Sequence, residues 1–191
     1  MPAGAALLFL YPGCVAYEVM LAAELLARRL PVRVATPGGE EVRSAGVRFA
    51  GDLTFREVAA DQVRVALVPG GDCEAVLEDT DLHAALRELH RAGALIGAIC
   101  AGPLLLARAG LLEGKRFTHG FKDLHQDFLA PFWSGAHFTD RLVERDGNLV
   151  TAKYEGHIDF AVELCLATGE DPAAAERWRL TYRGAVLPHP T

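Results

Sequence analysis

Ala98-Ile99-Cys100-Ala101-Gly102 is the stretch of this chain best suited to covalent chemistry. Small residues stand two before and two after a nucleophile, the spacing of a sharp strand-to-helix corner where larger neighbours would crowd the backbone. A cysteine at such a corner lies over a helix N-terminus, whose partial positive charge favours the thiolate. The expectation is an acidic, reactive thiol at Cys100. A cysteine without that context is commonly a buried apolar residue, so the corner carries the reading.

Several other groups can serve that sulfur. Pro69-Gly70-Gly71 closes an apolar run, and a glycine pair there can turn backbone N–H groups toward a shared point. Gly71 and Ala101 are thus the expected oxyanion-hole donors, with Gly70 in the pocket wall. Glu18 falls near the start of the first helix, where a carboxylate already suits the helix dipole. Its alternative role is as a desolvated carboxyl that keeps a proton and donates it to Cys100. Among the seven histidines, His119 follows a short strand one element after Cys100 and is the expected imidazole partner. His125 and His137 are weaker choices, His83 and His90 belong to a solvated helix, and His189 is in the tail. His157 and Asp159 open a late helix and compete with His119, although both residues are also ordinary in a first turn. Cys14 stands in the first loop beside the expected pocket, either as a resolving thiol or as packing.

The elements that would bring these residues together can be read from the apolar pattern. Ala5 to Tyr11, Pro31 to Ala35, Val63 to Val68 and Ala94 to Ile99 are short apolar strands, most ended by Pro or Gly. Helices are expected over Val15 to Arg29, Asp81 to Arg91, Gly102 to Ala109 and Gly156 to Ala167, with a short one starting at Pro172. A short strand is expected at Lys115 to Thr118, and hairpins over residues 42–54 and around Asp146-Gly147-Asn148. Strands alternating with helices define an α/β fold with a doubly wound, mainly parallel sheet. In such sheets ligands bind beyond the carboxyl ends of the strands, where the loops after residues 11, 68 and 99 would meet.

Length and charge narrow the function classes. The 191 residues, 51% of them hydrophobic, suffice for one domain spanning 1–191, with a core over about 4–168 and a C-terminal helix and tail over 170–191. A net charge of -6 offers no general attraction to nucleic acid or anionic lipid. Cys14, Cys73, Cys100 and Cys165 form no CxxC and no zinc spacing, so neither a metal site nor a disulfide framework is expected, and a reducing cytoplasm fits. The uncharged opening from Met1 to Tyr17 lacks a basic start and is broken by Pro12-Gly13, and the charge-free run from Ala92 to Ala107 is too short and glycine-rich to span a bilayer.

Taken together, these motifs resemble the ThiJ/PfpI superfamily, specifically its Parkinsonism-associated deglycase and stress-response branch. The resemblance rests on Gly13 and Glu18, the Leu67-Val68-Pro69-Gly70-Gly71 loop, the Ala98 to Pro103 elbow, Thr118-His119 and the Asp146-Gly147 hairpin, and covers about residues 4–168. It implies a flavodoxin-like sandwich, usually a homodimer, with an acidic Cys100 thiol bonded to Glu18 and His119 nearby. It further implies cofactor-free glyoxalase or deglycase chemistry on small 2-oxoaldehydes or glycated substrates, and stress oxidation of the cysteine to a sulfinate. A redox-sensing chaperone or binding protein, or a Cys-His amidohydrolase, is the alternative. Ala101 stands where peptidase-like members place a His, and His157-Ile158-Asp159 only approximates the late His-x-Glu of amidotransferases.

Overall fold

The computed structural model describes residues 4–121 and 126–185. Its frame is a seven-stranded sheet formed by β1 (Ala5–Phe9), β2 (Val32–Thr36), β5 (Leu53–Thr54), β6 (Val63–Val68), β7 (Leu95–Ile99), β10 (Val143–Asp146) and β11 (Leu149–Ala152). Their order is β10-β11-β7-β6-β1-β2-β5, parallel throughout except for the β10–β11 hairpin at one edge. Continuous apolar strands such as β1 and β7 are buried along their whole length, which requires helices on both faces of the sheet. On one face α1 (Tyr17–Leu26) packs against α5 (His157–Ala167), which in turn carries α6 (Pro172–Tyr182). On the other, α2 (Thr80–Arg91) and α3 (Gly102–Arg108) lie beside β7.

The chain runs outward from β1 to β2 on one side and returns to β6 on the other, so the strand order reverses between β1 and β6. The loops that follow β1, β6 and β7 therefore share one crevice at the carboxyl end of the sheet. Cys14 and Gly71 form an isolated antiparallel bridge between the first two of these loops, and Val15 N–H donates to Gly70 O at 3.0 Å.

Two expected elements are redrawn. The hairpin over 42–54 stops early: β3 (Val42–Ser44) and β4 (Val47–Phe49) pair across a turn at Ala45 and Gly46, whereas β5 joins the main sheet beside β2. Alternation cannot distinguish these partners, because a two-residue strand has too little pattern to fix its register. The strand at 115–118 shrinks to β8 (Arg116–Phe117), which pairs in parallel with β9 (His137–Phe138) outside the main sheet. A four-residue helix, α4 (Gln126–Leu129), lies between them in sequence. Among the described residues no helix is long and apolar enough to cross a membrane, and no group of three metal-binding side chains is assembled.

Candidate active site

Cys100 ends β7 with φ at +62°, a left-handed conformation that is uncommon for a residue with a side chain and marks the sharp corner expected from its neighbours. Its N–H donates to Ala152 O at 2.9 Å, and its carbonyl accepts from Gly120 N–H at 2.8 Å, so β11 and the loop after β8 fix the corner. The sulfur is half-buried. Hydrogen bonds from Ala101 N–H and Gly71 N–H reach it, and Glu18 lies within hydrogen-bonding distance of it.

Glu18 is placed by α1, only 7% exposed, with Oε2 accepting from Gly70 N–H at 2.8 Å. The loop after β6 thus gives one N–H to the carboxyl and the next N–H to the sulfur. Close approach makes this possible. A Cβ on Gly70 would fall 2.4 Å from Ala101 N and 2.8 Å from Cys100 Cβ, both on a fixed backbone corner. Gly70→Ala is accordingly expected to lower stability by about 3 kcal/mol, read from urea unfolding; a loss under about 1 kcal/mol would show that the corner yields.

The charge state of the pair differs from the sequence expectation. Burial first, and then the Glu18 charge and its hydrogen bond, push the Cys100 thiol up to about 12, against the two backbone N–H groups that pull it down. Burial likewise raises Glu18, with the thiol, Gly70 N–H and the nearby His157 acting against it. Two negative charges this close in a low-dielectric crevice are costly, so a charged Glu18 disfavours the thiolate. The helix-terminus argument considered a single residue; burial of the thiol, and after it the carboxylate contributed by α1, outweigh it.

Tyr11 and Cys73 complete the inner wall, and the sequence reading missed both. The Tyr11 hydroxyl donates to Pro69 O at 2.7 Å and lies 3.3 Å from Cys73 Sγ. It thereby fastens the loop that carries Gly70 and Gly71. A fully buried tyrosine needs a partner for its hydroxyl, and Tyr11, the one polar tip in the apolar run from Ala5 to Tyr11, was the available signal. Cys73 is pushed up to about 11, mainly by burial. Cys14 is buried, its thiol raised by burial, and its carbonyl accepts from Ser44 Oγ at 2.8 Å.

The histidines divide. Gly120 packs on Cys100, but the His119 ring turns into an aromatic cage, with ring centroids 5.0 Å from Trp133 and 4.6 Å from Phe138. Its Nδ1 accepts from Phe121 N–H at 3.1 Å, which leaves the neutral ring's proton on Nε2. Burial depresses its pKa. His157 instead stands 3.3 Å from the Tyr17 hydroxyl, close enough for its charge to act on Glu18. Asp159 is not brought to the site: Arg179 and Arg183 on or beside α6 hold it. His83 is buried in α2 rather than solvated, His137 is exposed, and His125 and His189 lie outside the described residues.

Burial lowers the pKa of His83, His90 and His119 alike. The unfolded chain takes up these protons near pH 6.5 while the folded chain resists them, so stability is complete above that pH and falls below it. Glu18, shifted upward, opposes this with a single group. The urea midpoint is expected to be lower at about pH 5.5 than at about pH 7.5; an unchanged midpoint would contradict the buried, neutral histidines.

A cavity of about 470 Å³ opens against this corner, with Gly71, Cys73 and Ala101 in its wall. Cavities of about 210 and 340 Å³ lie elsewhere, beside Leu26 and Arg64 and beside Ala5 and Val63 near the amino ends of the strands, away from the paired thiol and carboxyl.

An α/β sandwich with an elbow cysteine and a buried carboxyl at its switch point defines a class of protein, and the sequence comparisons agree. The chain belongs to the DJ-1/PfpI family, whose profile matches residues 5–167. It is 31% identical over 188 residues to protein dj-1beta of Drosophila melanogaster, covering 95% of this chain and 96% of that one. The crystal structure of that fly protein superposes with a TM-score of 0.78 at 28% identity, over 97% of this chain and 100% of the other. Shorter matches reach a deglycase, PfpI, of Pyrococcus furiosus (32% over 108 residues; 56% of this chain, 63% of that one) and a glutathione-independent glyoxalase of Caenorhabditis elegans (31% over 105; 53% and 56%). An isonitrile hydratase of Pseudomonas putida is 32% identical over 145 residues, 74% of this chain and 61% of that one. Relatives bearing enzyme names thus surround the chain, but with three different reactions.

Proposed function

We propose that the protein is a cofactor-free, cysteine-dependent enzyme acting on small 2-oxoaldehydes, of glyoxalase or deglycase type. The observation that carries this reading is the buried Glu18 carboxyl, held by Gly70 N–H, beside Cys100 and the Gly71 and Ala101 N–H groups. Attack by sulfur on the aldehyde carbon forms the C–S bond as the thiol proton passes to Glu18. Glu18 returns it to the carbonyl oxygen, giving a hemithioacetal. The backbone donors that meet the sulfur are placed to stabilise charge that appears there or on the adjoining oxygen. A base then removes the proton on the former aldehyde carbon, and reprotonation of the neighbouring carbon leaves the thioester of a 2-hydroxy acid. Water cleaves that thioester, restoring the thiol, so the net change is addition of one water.

This arrangement suits an enzyme better than a peroxide sensor. Peroxide attacks the thiolate, and a thiol held protonated by an ionised Glu18 is slow in that reaction until the carboxyl accepts its proton. An amidohydrolase using His157 with Asp159 is disfavoured because Asp159 is engaged by two arginines.

Formation of 2-hydroxy acid from methylglyoxal by the purified protein, without added thiol or metal, tests the reading; none would refute it. His157→Ala and His119→Ala separate the two imidazoles. His157 acts on Glu18 from the rim, so its loss is expected to lower kcat by roughly tenfold. Loss of the caged His119 ring is expected to reduce stability more than kcat.

A further inference from the structure

The cavity beside Cys100 is larger and more apolar than a three-carbon aldehyde requires. Its wall begins at the residues that touch the sulfur: Gly71 and Ala101 donate to it, and Phe121 follows Gly120, which packs against it. From there it is built by Leu77, Leu104, Phe121, Phe128 and Leu129, with buried Cys73 and the exposed Asp72 and Glu74 completing the lining. Leu104 and Leu129 are buried and belong to α3 and α4, Leu77 is half-buried, and Phe128 is exposed. A volume of about 470 Å³ falls in the range of sites for whole small molecules. A carbonyl carbon in contact with the sulfur, its oxygen near the Gly71 and Ala101 N–H groups, stands at the edge of this cavity, because both of those residues line it.

Resting on the function proposed above, we infer that the preferred substrate is a 2-oxoaldehyde with a bulky apolar substituent, of aryl or branched-alkyl size. A methyl group leaves most of the leucine and phenylalanine surface in contact with water. An aryl ring displaces that water, and the gain is available in the transition state as well as on binding.

The experiment has two arms. In the first, kcat/KM for phenylglyoxal is compared with that for methylglyoxal, in the natural protein and in Leu77→Trp, which fills the cavity from its rim without touching the reacting groups. A preference for phenylglyoxal of roughly tenfold or more is expected, the scale of a single added apolar group in a fitted pocket. Leu77→Trp should return the ratio toward one, by lowering kcat/KM for phenylglyoxal more than for methylglyoxal. In the second arm, Cys100 is alkylated with iodoacetanilide and with iodoacetamide, the modified site is mapped by mass spectrometry, and the rate ratio is divided by that of a small free thiol. A normalised ratio well above one is expected, again reduced in Leu77→Trp. Methylglyoxal turnover without aryl preference, and with a normalised alkylation ratio near one, overturns the inference and leaves the function standing. Anilide preference with neither aldehyde turned over upholds the cavity's selectivity and overturns the reaction.

Discussion

Cys100→Ser is expected to lower 2-hydroxy acid formation by roughly three orders of magnitude or more, with the fold intact. The hydroxyl that replaces the thiol is a weaker acid and a poorer nucleophile, and Glu18 is not basic enough to activate it. Serine is close in size and the corner is held by main-chain bonds, to Ala152 O and from Gly120 N–H, so the φ of +62° does not depend on sulfur. Thermal unfolding within a few degrees of the natural protein accompanies the lost activity. A variant that keeps its turnover would remove the covalent step and with it the proposed reaction, whatever the family.

Glu18→Gln has the second largest expected effect, and its two readouts move in opposite directions. Ionised Glu18 is, after burial, the main cause of the raised Cys100 thiol. A glutamine is neutral, can still accept from Gly70 N–H through its oxygen, and can donate to sulfur through its amide. The thiol pKa is therefore expected to fall well below about 12, and alkylation of Cys100 by iodoacetamide near neutral pH to accelerate. Turnover should nevertheless fall by roughly 100-fold or more, because no group remains to take the proton and return it. The pH dependence of the alkylation rate reads the first effect directly. A thiol pKa that rises in the variant would mean that the proton resides on Glu18 and the sulfur is already ionised. The proton would then leave the carboxyl rather than the thiol during addition.

Much of this site was legible because its parts are set by local stereochemistry. Small residues around Cys100 announce the corner, a glycine pair after Val68 announces a close turn, and apolar runs long enough to be buried on both faces announce the parallel sheet. Glu18 was legible only as one of two things, a helix-terminal carboxylate or an acid beside the sulfur, because the choice depends on how α1 sets the carboxyl against the loop after β6. His119 and His157 were not separable. Which imidazole faces the carboxyl depends on how the Phe117–Phe138 cage turns one ring and how Tyr17 receives the other, contacts between segments distant in sequence. Tyr11 and Cys73 escaped notice because an isolated aromatic and an isolated thiol each have an ordinary packing explanation until they are found 3.3 Å apart.

By itself, then, the sequence determined the sheet, the corner and the candidate groups around it, since strand burial, turn geometry and residue type act over a few neighbouring positions. Only the tertiary structure decided how the Cys100–Glu18 pair carries its charge, which histidine stands by it, and how much apolar space lies beyond it. Desolvation and Coulomb interaction act through space, and here they join α1, the loops after β6 and β7, and the start of α5, elements that come together only when the sheet assembles.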